Sequence, residues 1–344
     1  MPEISVLMPV YNGERYVKDA IDSLLNQTFI DFEIIVVNDG STDKSKEIIL
    51  SFNDAKIKYY ENASNKGLIF TRNLSVELAK GKYVAFLDSD DIALSERLQK
   101  QYDFLEKNPQ FGLVSSFVQQ IDEKGNICGK PAKMKVETEY VPVILLFRNC
   151  FVASTVMVRK NVLPLPWYRE GFPVAEDYDL WKRILTKSKA YTIPETLSLY
   201  RKHSENISVD KFLLMKEIEK NILKDNLLYL GLDYTLEEFE FYFIFSKIFI
   251  YEGCEQKFNS FDIIYATKNL QKLIDANDKS KVVDRVILIN HLTYFWRFLF
   301  TGMKKYNMSL FKCICKSDFY SKLTFKEKLK FSLKCFIAFK NNKK

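Results

Sequence analysis

Over its first 120 residues the chain alternates short apolar runs with segments whose apolar positions recur every three to four residues. Residues 4–8, 32–37, 57–60 and 82–87 have the β-branched and aromatic content of buried strands. Pro9 is expected to stop the first of them. Residues 15–26 place Tyr16, Val17, Ala20, Ile21, Leu24 and Leu25 at helical spacing. Ser41-Thr42-Asp43 supplies the cap for a helix through Leu50, and residues 68–79 predict another. Strands alternating with helices in this way predict a mostly parallel sheet covered by helices.

From 112 to 208 the pattern turns mixed. Strands are expected at 113–118, 155–158 and 197–201, and helices at 141–147 and 178–185, with Pro164-Leu165-Pro166 as a loop. Beyond Val209 the chain reads as helical almost to its end, with breaks at Gly231, Gly253 and Asn277-Asp278. These shifts predict an α/β domain over 1–208 and a helical region over 209–344.

Composition refines this division. A chain of 344 residues, 47% hydrophobic and 28% charged, has ample material for a folded core. Its net charge of +7 is unevenly spread. Residues 291–344 hold 13 Lys and Arg against 2 Asp and Glu, a local charge of +11, which leaves −4 on residues 1–290. Six scattered cysteines read as reduced thiols, and Cys313-Ile314-Cys315 lacks the spacing and histidines of a zinc site. The opening residues do not resemble a secretory signal. Residues 241–251 are too short to span a bilayer and include Lys247, while 282–303 contain Asp284, Arg285, His291 and Arg297. A cytoplasmic protein is expected.

Three predicted strands end in polar residues, at Pro9-Val10-Tyr11-Asn12, Asn38-Asp39-Gly40 and Asp88-Ser89-Asp90-Asp91. Ligands of open α/β sheets bind outside the carboxyl ends of the strands, so chemistry should gather there. Three carboxylates in four residues after a buried strand repel one another unless something cationic compensates them. A hard divalent ion bridging to a substrate phosphate is one answer. A helix cap at Asp90 or Asp91, for a helix over 93–107, is the other. Neither G-x-G-x-x-G nor G-x-x-x-x-G-K-[ST] occurs, which removes the dinucleotide fingerprint and the P-loop.

Taken together, Pro9-Val10-Tyr11-Asn12-Gly13, Val37 to Asp43, Asn65-Lys66-Gly67 with Arg72-Asn73, Gly81 to Asp91, Glu176 to Trp181 and Tyr200 to His203 resemble family 2 glycosyltransferases of the GT-A fold. The resemblance covers about residues 4–208, and its six segments fall in the family's order. It implies an inverting enzyme that moves one sugar from a UDP-sugar to a saccharide hydroxyl. Asp39 resembles the acceptor of a uracil N3–H, with Pro9 and Tyr11 completing the base pocket, and a carboxylate offers the acceptor that this donor needs. Pro9 stands where some members carry threonine. Arg72 resembles the arginine that closes on the nucleotide. Asp88 and Asp90 match the D-x-D pair, the first toward ribose and the second toward Mg²⁺ or Mn²⁺, which leaves Asp91 as the cap. His203 matches a further metal ligand or a diphosphate contact, although a packing histidine reads the same way. Asp177 resembles the general base, with Glu176 in reserve, yet acids also favour helix N-termini for dipole reasons alone. Trp181 fits either a sugar-facing wall or the core.

No Arg-Trp pair occurs, so the Q-x-x-R-W motif of processive synthases is missing and transfer of one sugar per acceptor is implied. Alternatives are a metal-dependent nucleotidyltransferase, poorly served by the glycine-poor loop after the first strand, and a noncatalytic binder of sugar nucleotides or saccharides. In the tail, Leu329, Leu333 and Phe336 recur at helical spacing among lysines. Such a helix suits an anionic membrane surface, here the inner face of the plasma membrane, or packs internally. The acceptor is then expected to be lipid-linked, in bacterial surface polysaccharide synthesis. Nucleic acid is not an expected partner.

Overall fold

The computed structural model describes residues 1–129, 137–248, 262–302 and 306–341. They form two compact units, one of Met1–Val141 with Asn149–Ile218, the other of Pro142–Arg148 with Glu219–Lys344. The division therefore falls at 218/219, not 208/209. Residues 142–148 join the second unit because Val143, Leu146 and Phe147 belong to its apolar core.

The first unit is built on one mixed sheet in the order β3-β2-β1-β4-β7-β6-β8-β5. Its parallel half consists of β1 (Ile4–Val10), β2 (Phe32–Asn38), β3 (Ile57–Glu61) and β4 (Tyr83–Phe86). β1 runs through Pro9, which pairs in register with Val37. Proline stops a strand only where its missing N–H is needed, so it does not end this one. Adjacent parallel strands bring the carboxyl ends of β2, β1 and β4 to the same edge, which sets Asp39, Tyr11 and Asp88 along one rim. Helices α1 (Val17–Leu25), α2 (Ser45–Ser51) and α3 (Leu68–Leu78) connect these strands. α2 begins at Ser45, with the Asp43 carboxylate accepting the Ser45 N–H at 2.9 Å, so Asp43 alone of the expected cap residues serves this helix.

The short β5 (Ile92–Ala93) follows the acidic loop, and α4 (Arg97–Lys107) starts later than expected. Asp91 therefore caps no helix. It is buried, and its carboxylate accepts the Arg201 N–H at 2.9 Å. β6 (Phe111–Ile121), β7 (Met157–Arg159) and β8 (Lys189–Arg201) complete the sheet, with β8 parallel to β6 and antiparallel to β5. Helix α5 (Val141–Leu145) precedes β7, and α6 (Glu176–Ile184) lies between β7 and β8.

The helical region comprises α7 (Ile207–Asp210), α8 (Phe212–Tyr229), α9 (Leu236–Ser246), α10 (Ile263–Ser280), α11 (Arg285–Thr301), α12 (Met308–Cys315), α13 (Asp318–Ser321) and α14 (Phe325–Asn341). In the second unit, Trp296 is fully buried and stacks on Phe319 at 5.2 Å. His291 lies among Phe147, Phe245 and Phe295, and burial lowers it to about 4, so it packs as a neutral ring. The expected break at Gly253 and the end of the 241–251 stretch lie outside the described residues. Among the described residues no helix is long and apolar enough to cross a membrane. Cys128, Cys150, Cys313, Cys315 and Cys335 are free thiols.

Candidate active site

The rim at the ends of β1 and β2 is tied by backbone. Asp39 N–H donates to the Val10 carbonyl at 2.8 Å, which sets the Pro9-to-Tyr11 segment beside Asp39. The Asp39 carboxylate itself accepts from Asn62 Nδ2 at 2.7 Å and from the N–H groups of Lys66 and Gly67 at 2.8 and 2.9 Å. Three bonds leave about one of the four acceptor positions of a carboxylate for a further donor. Gly40 follows at φ +66°, and a Cβ there would lie 2.6 Å from the Ser64 carbonyl carbon. Glycine is required here, because the 62–67 loop crosses directly over it.

α3 carries Arg72 from this loop to the acids. Its guanidinium is buried, with Nη2 2.9 Å from Asp88 and Nη1 2.5 Å from Glu176. Burial works against this charge, and Glu176 and Asp88 outweigh it, so the Arg72 pKa is raised. Asp88 is anchored in turn, its N–H donating to Ser154 Oγ at 3.0 Å.

The acid pair opens α6, where Ala175 takes the left-handed conformation at φ +59°. A non-glycine residue there costs about 1–2 kcal/mol, a strain typical of functional turns. The kink turns the chain so that Glu176 is buried against Arg72 while the neighbouring Asp177 stays partly exposed. Asp177 accepts from Asn149 Nδ2 at 3.0 Å and from Tyr178 N–H at 2.7 Å. Burial raises Glu176 to about 7, with the Arg72 guanidinium pulling the other way, and burial likewise raises Asp177. A carboxyl group raised toward neutrality beside a cationic partner is a candidate proton-transfer group. Asp179, on the same turn, is engaged by Arg169 and Arg183 and is structural. Trp181 is fully buried against Phe86, 5.3 Å between ring centres, and belongs to the core.

Asp90 and His203 meet, with 2.9 Å between Asp90 Oδ2 and His203 Nε2. Asn206 Nδ2 donates to the same carboxylate oxygen at 3.2 Å. Tyr16 packs on the His203 ring, and Arg201 lies over Tyr16. Among the described residues, no group of three or more His, Cys, Asp or Glu side chains gathers around one point. The Asp90 carboxylate nonetheless fits a Mg²⁺-type ion, which takes few protein ligands and completes its shell with phosphate and water, and the His203 imidazole beside it is the less usual donor for so hard an ion.

The predicted residues thus fall into three neighbouring groups: Pro9, Tyr11 and Asp39; Arg72, Asp88, Glu176 and Asp177; and Asp90 with His203. The sequence reading passed over Asn149, Asn62, Asn206 and Arg97. Arg97 is fully buried beneath the acidic loop, and its Nη2 donates to the Phe86 carbonyl at 2.8 Å and the Val156 carbonyl at 3.2 Å. An arginine in an amphipathic helix carries no local signal of burial; these partners meet only through the fold.

The Glycosyl transferase family 2 model matches residues 5–150. An uncharacterized glycosyltransferase of Methanocaldococcus jannaschii, MJ1057, is 36% identical over 202 residues, covering 58% of this chain and 70% of that protein. The chain belongs to glycosyltransferase family 2. A second relative, the Escherichia coli UDP-Glc:alpha-D-GlcNAc-diphosphoundecaprenol beta-1,3-glucosyltransferase WfgD, is 32% identical over 62% of this chain and 82% of its own. Among solved structures, S. aureus TarS 1-349 in complex with UDP-GlcNAc superposes with a TM-score of 0.58 at 20% identity, over 89% of this chain and 94% of that one. That likeness gives the family's GT-A-like fold, with a helical C-terminal region following the sheet.

Proposed function

We propose that this glycosyltransferase moves one sugar from a UDP-sugar to a hydroxyl of a saccharide acceptor, with inversion at the anomeric carbon. The observation that carries the reading is the Arg72 bridge, which ties the donor-side Asp88 to the acid pair Glu176-Asp177. Asp177 is the base that takes the acceptor proton, since Glu176 is held by the guanidinium and Asp177 is the more exposed of the two. Pro9, Tyr11 and Asp39 receive the uracil, and Asp88 faces the ribose. Asp90 and His203 would hold Mg²⁺ or Mn²⁺, whose charge offsets that of the departing diphosphate. The UDP-GlcNAc complex of TarS and the UDP-Glc in the name of WfgD support a uridine donor.

The acceptor is a lipid-linked saccharide of bacterial surface polysaccharide, met at the cytoplasmic face of the membrane. WfgD, named for a diphosphoundecaprenol acceptor, supports this, as does α14. One face of α14 is buried through Phe331 and Cys335, while Phe325, Leu329, Leu333 and Phe336 are exposed beside Lys326, Lys330 and Lys334. Apolar anchors flanked by lysines fit an anionic bilayer surface.

The test is UDP release from UDP-GlcNAc and UDP-glucose with Mn²⁺. Asp177→Asn should lose about 10²-fold or more in turnover with donor binding retained. Asp90→Asn should lose turnover and the Mn²⁺ dependence of donor binding. Wild-type rates in both variants would end these assignments.

A further inference from the structure

Glu176 and Asp177 are adjacent acids at one helix start, yet they face different partners. Glu176 meets the Arg72 guanidinium, whereas Asp177 meets a neutral carboxamide, Asn149. The orientation of that amide is fixed. Its Oδ1 accepts the Phe151 N–H at 3.1 Å, so its Nδ2 must face Asp177. Asp177 Oδ2 therefore receives a donor that cannot become an acceptor without breaking the Phe151 bond. Asp177 Oδ1 accepts the Tyr178 N–H at 2.7 Å. Two donors fix the plane of the carboxylate, and both favour its ionised form.

We infer that Asn149 is a positioning residue for the transfer reaction, favouring the ionised form of the Asp177 carboxylate against burial and aiming it so that Asp177, and not Glu176, takes the acceptor proton. This rests on the reading of Asp177 as the base. Around Asp177 the charged and titratable groups are Arg72 from α3, Asp88 after β4, Glu176 on its own helix and the Tyr168 phenol. Arg72 already bonds Asp88 and Glu176, and Asn149 supplies the side-chain donor to Asp177 among the described residues. In the reaction the acceptor O–H bond breaks as its oxygen forms the new glycosidic bond. The proton goes to Asp177, and the UDP leaving group departs with the bonding pair.

The experiment is the pH profile of UDP release from UDP-GlcNAc with Mn²⁺ for the full chain and three variants. Asn149→Asp replaces the donor with a second carboxylate and should move the acid limb of kcat upward by about one pH unit or more, roughly a tenfold loss on that limb and little on the plateau. Asn149→Ala removes the bond without adding charge and should move the limb in the same direction by less. Stabilisation by UDP in thermal melts should match wild type in both, since the Asn149 side chain bonds Asp177 and Phe151, neither of them a proposed nucleotide residue. If both Asn149 limbs superimpose on wild type while Asp177→Asn is inactive, the positioning role is refuted and the base survives. If Asp177→Asn turns over at wild-type rate, the parent reading fails and the positioning role falls with it. Should Asn149→Asp fail to fold, the limb of Asn149→Ala decides.

Discussion

Replacing Arg72 with methionine should expose how the acid cluster is held together. Methionine keeps the apolar stem and removes a guanidinium whose side chain is only 10% exposed. Glu176, at 6%, then loses its counter-charge, and Asp88, at 35%, retains partial access to water. Breaking a buried pair from one side costs about 3–5 kcal/mol, and the Glu176 half carries most of it here. For a unit of about 200 residues this corresponds to a melting point lower by about 6–20 °C at pH 8. The sign of the pH dependence is fixed by Glu176. Its folded pKa of about 7 lies above the ordinary 4.5, so its contribution is complete below about 4.5 and lost as pH rises through about 7. Without Arg72 the folded pKa climbs further, and the gap between variant and wild type should widen from pH 5 to pH 8. Adding Glu176→Gln should recover most of the loss and flatten that slope. Circular dichroism melts of the two single variants and the double variant measure the cycle. A variant within 2 °C of wild type at pH 8, and indifferent to Glu176→Gln, would show that Arg72 is not the counter-charge of the buried acid.

Gly40→Ala should destabilise the first unit by about 2 kcal/mol or more, because its Cβ meets Ser64 backbone at 2.6 Å and its φ of +66° is unfavourable for alanine. The same variant should weaken UDP binding in calorimetric titration, since the displaced 62–67 loop is the one that Asp39 holds. On α14, Leu329→Glu with Leu333→Glu should abolish co-sedimentation with phosphatidylglycerol vesicles while leaving donor hydrolysis unchanged. Binding of the wild type should fall with added salt and be weak on phosphatidylcholine, and equal binding to both lipids would remove the electrostatic part of the reading.

Much of the first unit was legible because its signals are local. The β1, β2 and β4 runs state their burial residue by residue, and parallel pairing then forces their polar ends onto one rim. Boundaries were less legible where the decisive partner is remote. The acidic loop reads as a helix cap until β5 pairs with β8 and draws Asp91 onto the Arg201 backbone, more than a hundred residues away. Asn149 was illegible for the same reason, since nothing near it in sequence announces Asp177. The tail left two readings open, and α14 combines a buried face with an exposed one; a periodicity of 3.6 cannot tell a single apolar stripe from two on opposite sides.

The acidic loop poses the physical question of how three carboxylates tolerate one another at a strand end, and the answer is that each is sent elsewhere. Asp88 turns to Arg72 and Asp90 to His203 and Asn206, while Asp91 accepts a backbone N–H on one oxygen only, and burial with the charges of Asp90 and Asp88 holds its pKa well above the usual carboxylate range, which favours its neutral form. Arg97 lies beneath them, and burial lowers it only to about 10, so it remains cationic at neutral pH. Its bonds go to the carbonyls of Phe86 and Val156, so it pins the strand end and adds positive charge without consuming a carboxylate. The fold thereby distributes charge among protein partners, and in the proposed reading the Asp90 branch is the one that meets the metal. That asymmetry explains why three acids in four residues need not be three ligands. It also makes Arg72 the link between Asp88 and Glu176, the proposed donor and acceptor sides of the site.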